Sequence, residues 1–144
     1  MPESPEAEAA VLGSMILDRE CIGDVVVTLT AEAFYRPEHR MIFEAVVQLY
    51  EANSAIDLVT LRDQLKKRNE LDSAGGVEYL VRVAEAVPSA ASVEYYATIV
   101  RDKAMLRQLA QVAGEILQAA YSQTGEVGET LDAAEQKVFA VTEQ

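Results

Sequence analysis

Apolar residues return every three or four positions along most of this chain, the spacing of one face of an α-helix. Two-residue alternation is weak; the best strand candidate is 25–29, and its neighbours read as helix. Ser4 followed by Pro5 predicts a helix start, with a capping side chain and a proline whose missing N–H is not needed in the first turn. Glu6 and Glu8 sit near that positive end, and Val11, Leu12, Met15 and Ile16 form a stripe, so a first helix is predicted over about 5–17. A short second helix covers about 19–28. Pro37 opens a third, with Glu38 in its first turn and Ile42, Ala45, Val46 and Leu49 as its stripe, fading near Asn53. Asp57 is the N-cap of a fourth carrying Leu58, Leu61 and Leu65, with Lys66, Lys67 and Arg68 where cations suit the dipole. After Gly75-Gly76 a fifth helix places Leu80, Val83, Ala84 and Val87 in register, and Pro88 stops it.

The C-terminal part has a different character. From Val93 to Ser122 there is no proline, and Gly114 is the single glycine. Leu106, Leu109, Ala113, Ile116 and Ala120 form one stripe, overlapped by a second through Met105, Leu109, Val112 and Ile116. Roughly 29 helical residues reach about 43 Å, more than the depth of so small a globule. A turn at 122–125 leads to a last helix with Val127, Leu131, Ala134, Val138 and Val141 at heptad-like steps. The pattern predicts an all-α fold: a globular helical head of about five helices over 1–92, then a long two-helix antiparallel hairpin over 93–144. Two helices hide only one face of each other, and a large exposed apolar patch is unusual on a soluble monomer. The hairpin therefore either pairs with a second copy into a four-helix bundle or folds back over the N-terminal helices.

Half of the 144 residues are apolar, enough for a core. The first 20 residues lack a basic stretch followed by an apolar one, and no run of about 18 apolar residues appears, so neither secretion nor membrane insertion is expected and the expected compartment is the cytoplasm. The formal net charge of −12 argues against direct binding of nucleic acid, which needs Lys and Arg to displace counterions, and favours basic protein partners.

The chemistry of a catalytic centre is missing. No Gly-Lys-Ser or Gly-Lys-Thr phosphate loop, G-x-G-x-x-G turn or EF-hand pattern occurs. One cysteine and one histidine cannot build a structural zinc site. Cys21, among Ile22, Val25, Val26 and Val27, reads as a small buried hydrophobe. His39 lies in the first turn after Pro37 and reads as a packing or hydrogen-bonding residue, or else as an interface contact. The many carboxylates read as solvated helix faces, not as a convergent acid–base pair. No catalytic, cofactor-binding or metal-binding residue is assigned.

Several segments, in order and with matched spacing, carry a family likeness. They are Glu6-Ala7-Glu8 with Val11-Leu12-Gly13; Phe34-Tyr35-Arg36 with His39 and Ile42-Phe43; Ile56-Asp57 with Thr60; Gly75-Gly76 with Tyr79-Leu80; and Val87-Pro88-Ser89-Ala90-Ala91-Ser92-Val93-Glu94-Tyr95-Tyr96-Ala97, continuing to Ile99-Val100-Arg101 and Leu106-Arg107. In these the chain resembles the N-terminal domain of DnaB-type replicative DNA helicases almost end to end. Ser92 departs from the asparagine frequent in that family; either residue can cap a helix.

The resemblance implies a helical head followed by a hairpin, in agreement with the pattern. It also implies a non-catalytic collar domain of a bacterial hexameric helicase, in which hairpins pair, the hexamer is a trimer of dimers, and the collar docks the C-terminal domain of a DnaG-type primase. A helicase loader is an alternative partner. No cofactor belongs to this part; ATP and Mg would bind the ATPase domain that follows in the family, so the chain reads as an excised domain or a natural truncation. For dimerisation the hairpin stripes supply Leu109, Val112, Ile116, Leu131, Val138 and Phe139. For primase docking the resemblance points to Glu6, Tyr79 and Arg107; Tyr79 is otherwise a core residue of the fifth helix. Phe34, Phe43, Ile42 and Leu80 are expected in the core. The readings from other classes are a stand-alone helical adaptor or regulator, and a small enzyme using its acidic residues.

Overall fold

The computed structural model describes residues 1–87, 92–122 and 125–143. Pro88 and residues 89–91, together with Gln123, Thr124 and Gln144, lie outside the described residues, so the proline stop and the middle of the hairpin turn are not described. Among the described residues there are seven α-helices and no strand: α1 Pro5–Leu17, α2 Ile22–Thr28, α3 Pro37–Glu51, α4 Leu58–Lys67, α5 Gly76–Glu85, α6 Val93–Ser122 and α7 Val127–Thr142. Short 3₁₀ turns at Arg19–Cys21 and Ala31–Ala33 lead into α2 and towards α3. The candidate strand at 25–29 is helix through Thr28. The chain forms two compact units, Glu3–Lys103 and Ala104–Gln144 with Met1–Pro2. The expected division at 92/93 coincides with the start of α6, whereas the units divide further on, inside that helix.

In the head unit α1 packs on α5 and α3, α3 on α4, and α4 on α5. Ser4 Oγ accepts from the Ala7 N–H at the start of α1, and Pro5 follows at the first position. Beyond this start α1 is buried on nearly all sides, including Val11, Leu12, Met15 and Ile16, as a helix in the middle of a globule must be. Gly13 permits its contact with α5: a Cβ there would lie 2.4 Å from both the Val83 carbonyl oxygen and Val87 Cγ2. Phe34 and Phe43 pack ring against ring at 5.0 Å within the core, joined by Ile42, Leu61, Leu65 and Leu80. The first turns of α6 contribute Val93, Ala97 and Val100 to the same core.

The helix ends follow local chemistry. At α4 the Asp57 carboxylate accepts from Thr60 N–H at 2.8 Å while Thr60 Oγ1 accepts from Asp57 N–H at 2.9 Å, a reciprocal cap. Past α3 the chain reverses through Asn53 in the left-handed region (φ 59°). Arg19 donates there to the carbonyls of Ser54 and Tyr50 and to Asn53 Oδ1, satisfying acceptors that a helix C-terminus leaves open. Before α5, Gly75 and Gly76 both take positive φ, 103° and 74°, which glycine adopts without steric cost.

In the second unit Ile116 and Ala119 of α6 line one depression with Thr130, Ala134 and Lys137 of α7; Val112 is half-buried and Val141 buried. The Lys137 ammonium lies 3.6 Å from the Glu115 carboxylate, and Arg107 Nη1 donates to the Pro2 carbonyl at 2.8 Å.

Gly13→Ala is expected to destabilise the head by about 1–3 kcal/mol, the usual penalty for overpacking, because a carbonyl of α5 cannot be pushed aside cheaply. Urea unfolding monitored by circular dichroism reads this out; an unchanged midpoint would show that α1 and α5 are not held so close.

Candidate interaction surfaces

No group of three or more His, Cys, Asp or Glu side chains that could hold a metal ion gathers among the described residues, and no helix is long and apolar enough to cross a membrane. The Cys21 thiol donates to the Ser14 carbonyl at 3.4 Å. Burial, reinforced by the charges of Asp18 and Asp24, pushes its pKa up to about 11, which leaves it a thiol at neutral pH, whereas reactivity needs the thiolate.

Among the described residues, the head buries a polar cluster in its interior. Glu8 and His39 are each only 1% exposed. Glu8 leaves α1 pointing at the start of α3, which has no side-chain cap of its own. Its carboxylate accepts from the Tyr35 N–H at 2.8 Å and from the Arg36 N–H at 3.3 Å, and His39 Nδ1 lies 2.7 Å from Oε1. On the other side of the ring, His39 Nε2 is 2.6 Å from the Tyr79 hydroxyl, and the two rings stack at 5.8 Å. Tyr79 is half-buried on α5, directly above Gly75: a Cβ on Gly75 would fall 2.6 Å from the Tyr79 Cβ. Burial alone would raise the Glu8 pKa, but the hydrogen bonds from His39, Tyr35 and Arg36 and the His39 charge outweigh it, so the carboxyl sits below its ordinary value. Burial, with the charges of Glu38 and Glu8, raises that of Tyr79 against the opposing Arg36 and Arg82.

The members of this cluster are visible in the sequence singly and not as a cluster. His39 hydrogen-bonds at a helix start, as its place after Pro37 suggests, and Tyr79 is neither fully in the core nor fully exposed. Glu8, expected among the solvated acids, is instead buried. The available signal was its position between Ala7 and Ala10 on a helix with apolar residues on all sides, which leaves no solvated face for it.

The second surface is on the hairpin. Leu109 is 44% exposed, Leu131 59%, Val138 38% and Phe139 61%, while Leu106, Leu117, Tyr121 and Val127 are exposed beside them. Ala134, Val138 and Phe139 line a shallow, almost wholly apolar depression on α7. Val112 and Ile116, assigned from the same stripes, are half-buried, Ile116 beside Thr130 and Ala134 of α7. Of the three docking candidates, Glu6 is exposed and Tyr79 half-buried in the head unit, whereas Arg107 is half-buried in the hairpin unit.

The family described as DnaB-like helicase N terminal domain matches residues 1–102. The chain belongs to that family. The replicative DNA helicase DnaB of Geobacillus stearothermophilus is 41% identical over 99% of this chain, which spans 32% of that relative's length. The N-terminal domain of DnaB helicase from Mycobacterium tuberculosis superposes with a TM-score of 0.90 at 37% identity, over 96% of this chain and 98% of that one. The corresponding domain from Helicobacter pylori, described together with its interactions with primase, shares the fold at a TM-score of 0.68 and 24% identity, over 81% of this chain and 90% of that one. The helical head and hairpin expected from the sequence are thus the architecture of the DnaB N-terminal domain.

A folded-state pKa below the unfolded one means that Glu8 contributes stability in full above the unfolded value, and that this contribution is lost as pH falls through the folded value. Glu8→Gln is therefore expected to lower the stability of the head at pH 7 by roughly 1–3 kcal/mol, the range for leaving buried donors poorly satisfied. Its deficit against wild type should shrink on acidification below the carboxylate range. Thermal midpoints from pH 7 to 3 measure this; a deficit constant with pH would contradict the assignment.

Proposed function

We propose that this chain is the non-catalytic collar segment of a bacterial hexameric replicative helicase, that its hairpin pairs with that of a second copy, and that its surface docks the C-terminal domain of a DnaG-type primase. The observation that carries the reading is the apolar row left exposed along α6 and α7. Burying a large aliphatic or aromatic side chain contributes about 1.5–3 kcal/mol, so residues such as Leu109, Leu131, Val138 and Phe139 exceed the needs of a single hairpin and suit an obligate interface. A second hairpin, self-complementary by two-fold symmetry, turns two helices into four around a common core. Val112 and Ile116 hold α6 to α7 and so shape the paired face from beneath. The pairs assemble as a trimer of dimers, and ATP and Mg belong to the ATPase domain of the full-length helicase.

The acidic balance of the chain, −12 overall, supports a protein partner over nucleic acid. Membership of the DnaB family and the primase interactions described for the Helicobacter pylori domain support primase as that partner. Glu6, Tyr79 and Arg107 are the proposed contacts, Tyr and Arg being frequent anchors of interfaces.

Two tests separate these parts. Leu109→Asp with Leu131→Asp alters side chains already exposed in the single chain, so helicity should be retained while light scattering reports a monomer; a folded, still-paired double variant would exclude this interface. Tyr79→Ala and Arg107→Ala should each weaken binding of the primase C-terminal domain by about tenfold or more in calorimetry, and wild-type affinity in both would remove them as contacts.

A further inference from the structure

Two wholly buried side chains stand behind the phenol of Tyr79. Its hydroxyl lies 2.6 Å from His39 Nε2, the two rings stack at 5.8 Å, and His39 Nδ1 lies 2.7 Å from Glu8 Oε1. Glu8 and His39 are each 1% exposed, so no partner of the folded head reaches them, whereas Tyr79 is half-buried. An ionised carboxylate only accepts hydrogen bonds, so Nδ1 carries a hydrogen towards it. Nε2 then accepts from the phenol when the imidazole is neutral, and donates to the phenol oxygen when it is charged. The hydroxyl is bonded inward in both states, and its anchorage does not depend on the charge of the ring.

Given the reading of Tyr79 as a docking contact, on which this rests, we propose that Glu8 and His39 are positioning residues of the docking surface. They hold the Tyr79 side chain in the place a partner meets it, and affinity for the partner depends on them although neither touches it. The far end of the chain Glu8–His39–Tyr79 is fixed by backbone: the carboxylate accepts from Tyr35 N–H at 2.8 Å and from Arg36 N–H at 3.3 Å. The near end is confined by Gly75. At φ 103° that residue comes so close that a Cβ on it would lie 2.6 Å from Tyr79 Cβ and 2.8 Å from Cγ. Every support of the phenol therefore comes from buried side chains or backbone, spread over α1, α3 and the turn before α5. With the inward bond cut, the ring regains freedom that a partner must freeze again on docking, and that cost appears as weaker binding.

His39→Asn and His39→Gln separate positioning from mere support, because an Asn amide falls near the place of Nδ1 and a Gln amide near that of Nε2. His39→Asn keeps a donor for Glu8 and loses the reach to the phenol; His39→Gln reaches the phenol. The readout is calorimetry with the primase C-terminal domain, each variant first shown folded by its thermal midpoint. His39→Asn is expected to weaken binding roughly three- to tenfold, the worth of one hydrogen bond, and His39→Gln less than that. Tyr79→Phe cuts the same bond from its other end and should weaken binding by a similar factor, with the double variant Tyr79→Phe/His39→Asn no worse than either single one. A full further loss in the double variant means that His39 does not act through the phenol and overturns the proposal. Wild-type affinity in His39→Asn, with Tyr79→Ala weakened, overturns it too and leaves docking at Tyr79 standing. Should His39→Asn not fold, Tyr79→Phe decides in its place by the same comparison with Tyr79→Ala. Wild-type affinity in Tyr79→Ala removes the docking contact and the positioning role together.

Discussion

Removing a carboxylate from water is strongly unfavourable unless its oxygens meet donors, and Glu8 meets three, from two backbone amides and an imidazole. Those donors come from the stretch that enters α3, 27 to 31 residues away along the chain. Through His39 the network continues to α5, 40 residues beyond. Three helices of the head are thereby fixed in one register by polar contacts that tolerate little displacement, while the surrounding apolar side chains supply most of the burial. A hydrophobic core of the right volume can repack; a buried carboxylate with three aligned donors cannot do so without leaving one of them unpaired.

The same constraint explains why the segment before α3 has the shape it has. Phe34 goes inward against Phe43, while the amides of Tyr35 and Arg36 turn to Glu8. Arg40 closes the turn by donating to the Phe34 carbonyl at 2.7 Å. The amides that lead into α3 thus take their carboxylate acceptor from another helix, where helix starts commonly use a local side chain.

Head and hairpin use apolar residues in opposite ways. In the head they converge, and its largest side chains are wholly enclosed. In the hairpin they divide between a seam joining α6 to α7 and a row turned to solvent. Two helices have one contact line, and a stripe wider than that line must show on the outside. Exposure then differs along the heptad-like stripes: Val112 and Ile116 are half-buried, Leu109 and Leu131 exposed.

Local chemistry was legible in the sequence because it acts over three or four residues. Ser4-Pro5 begins α1, Asp57 and Thr60 cap α4, and Gly75-Gly76 turn the chain before α5, each through contacts or dihedral angles that neighbouring residues set. The helical periods fixed the core positions of Val11, Leu12, Ile42 and Leu80 for the same reason, since the repeat of 3.6 residues returns a side chain to one face whatever lies opposite. What tertiary structure alone decided is where faces from distant parts of the chain meet. Glu8, His39 and Tyr79 look like three unrelated polar residues until α1, α3 and α5 are packed. Hydrogen bonding depends on distances between atoms, and a linear chain does not set those distances for residues tens of positions apart.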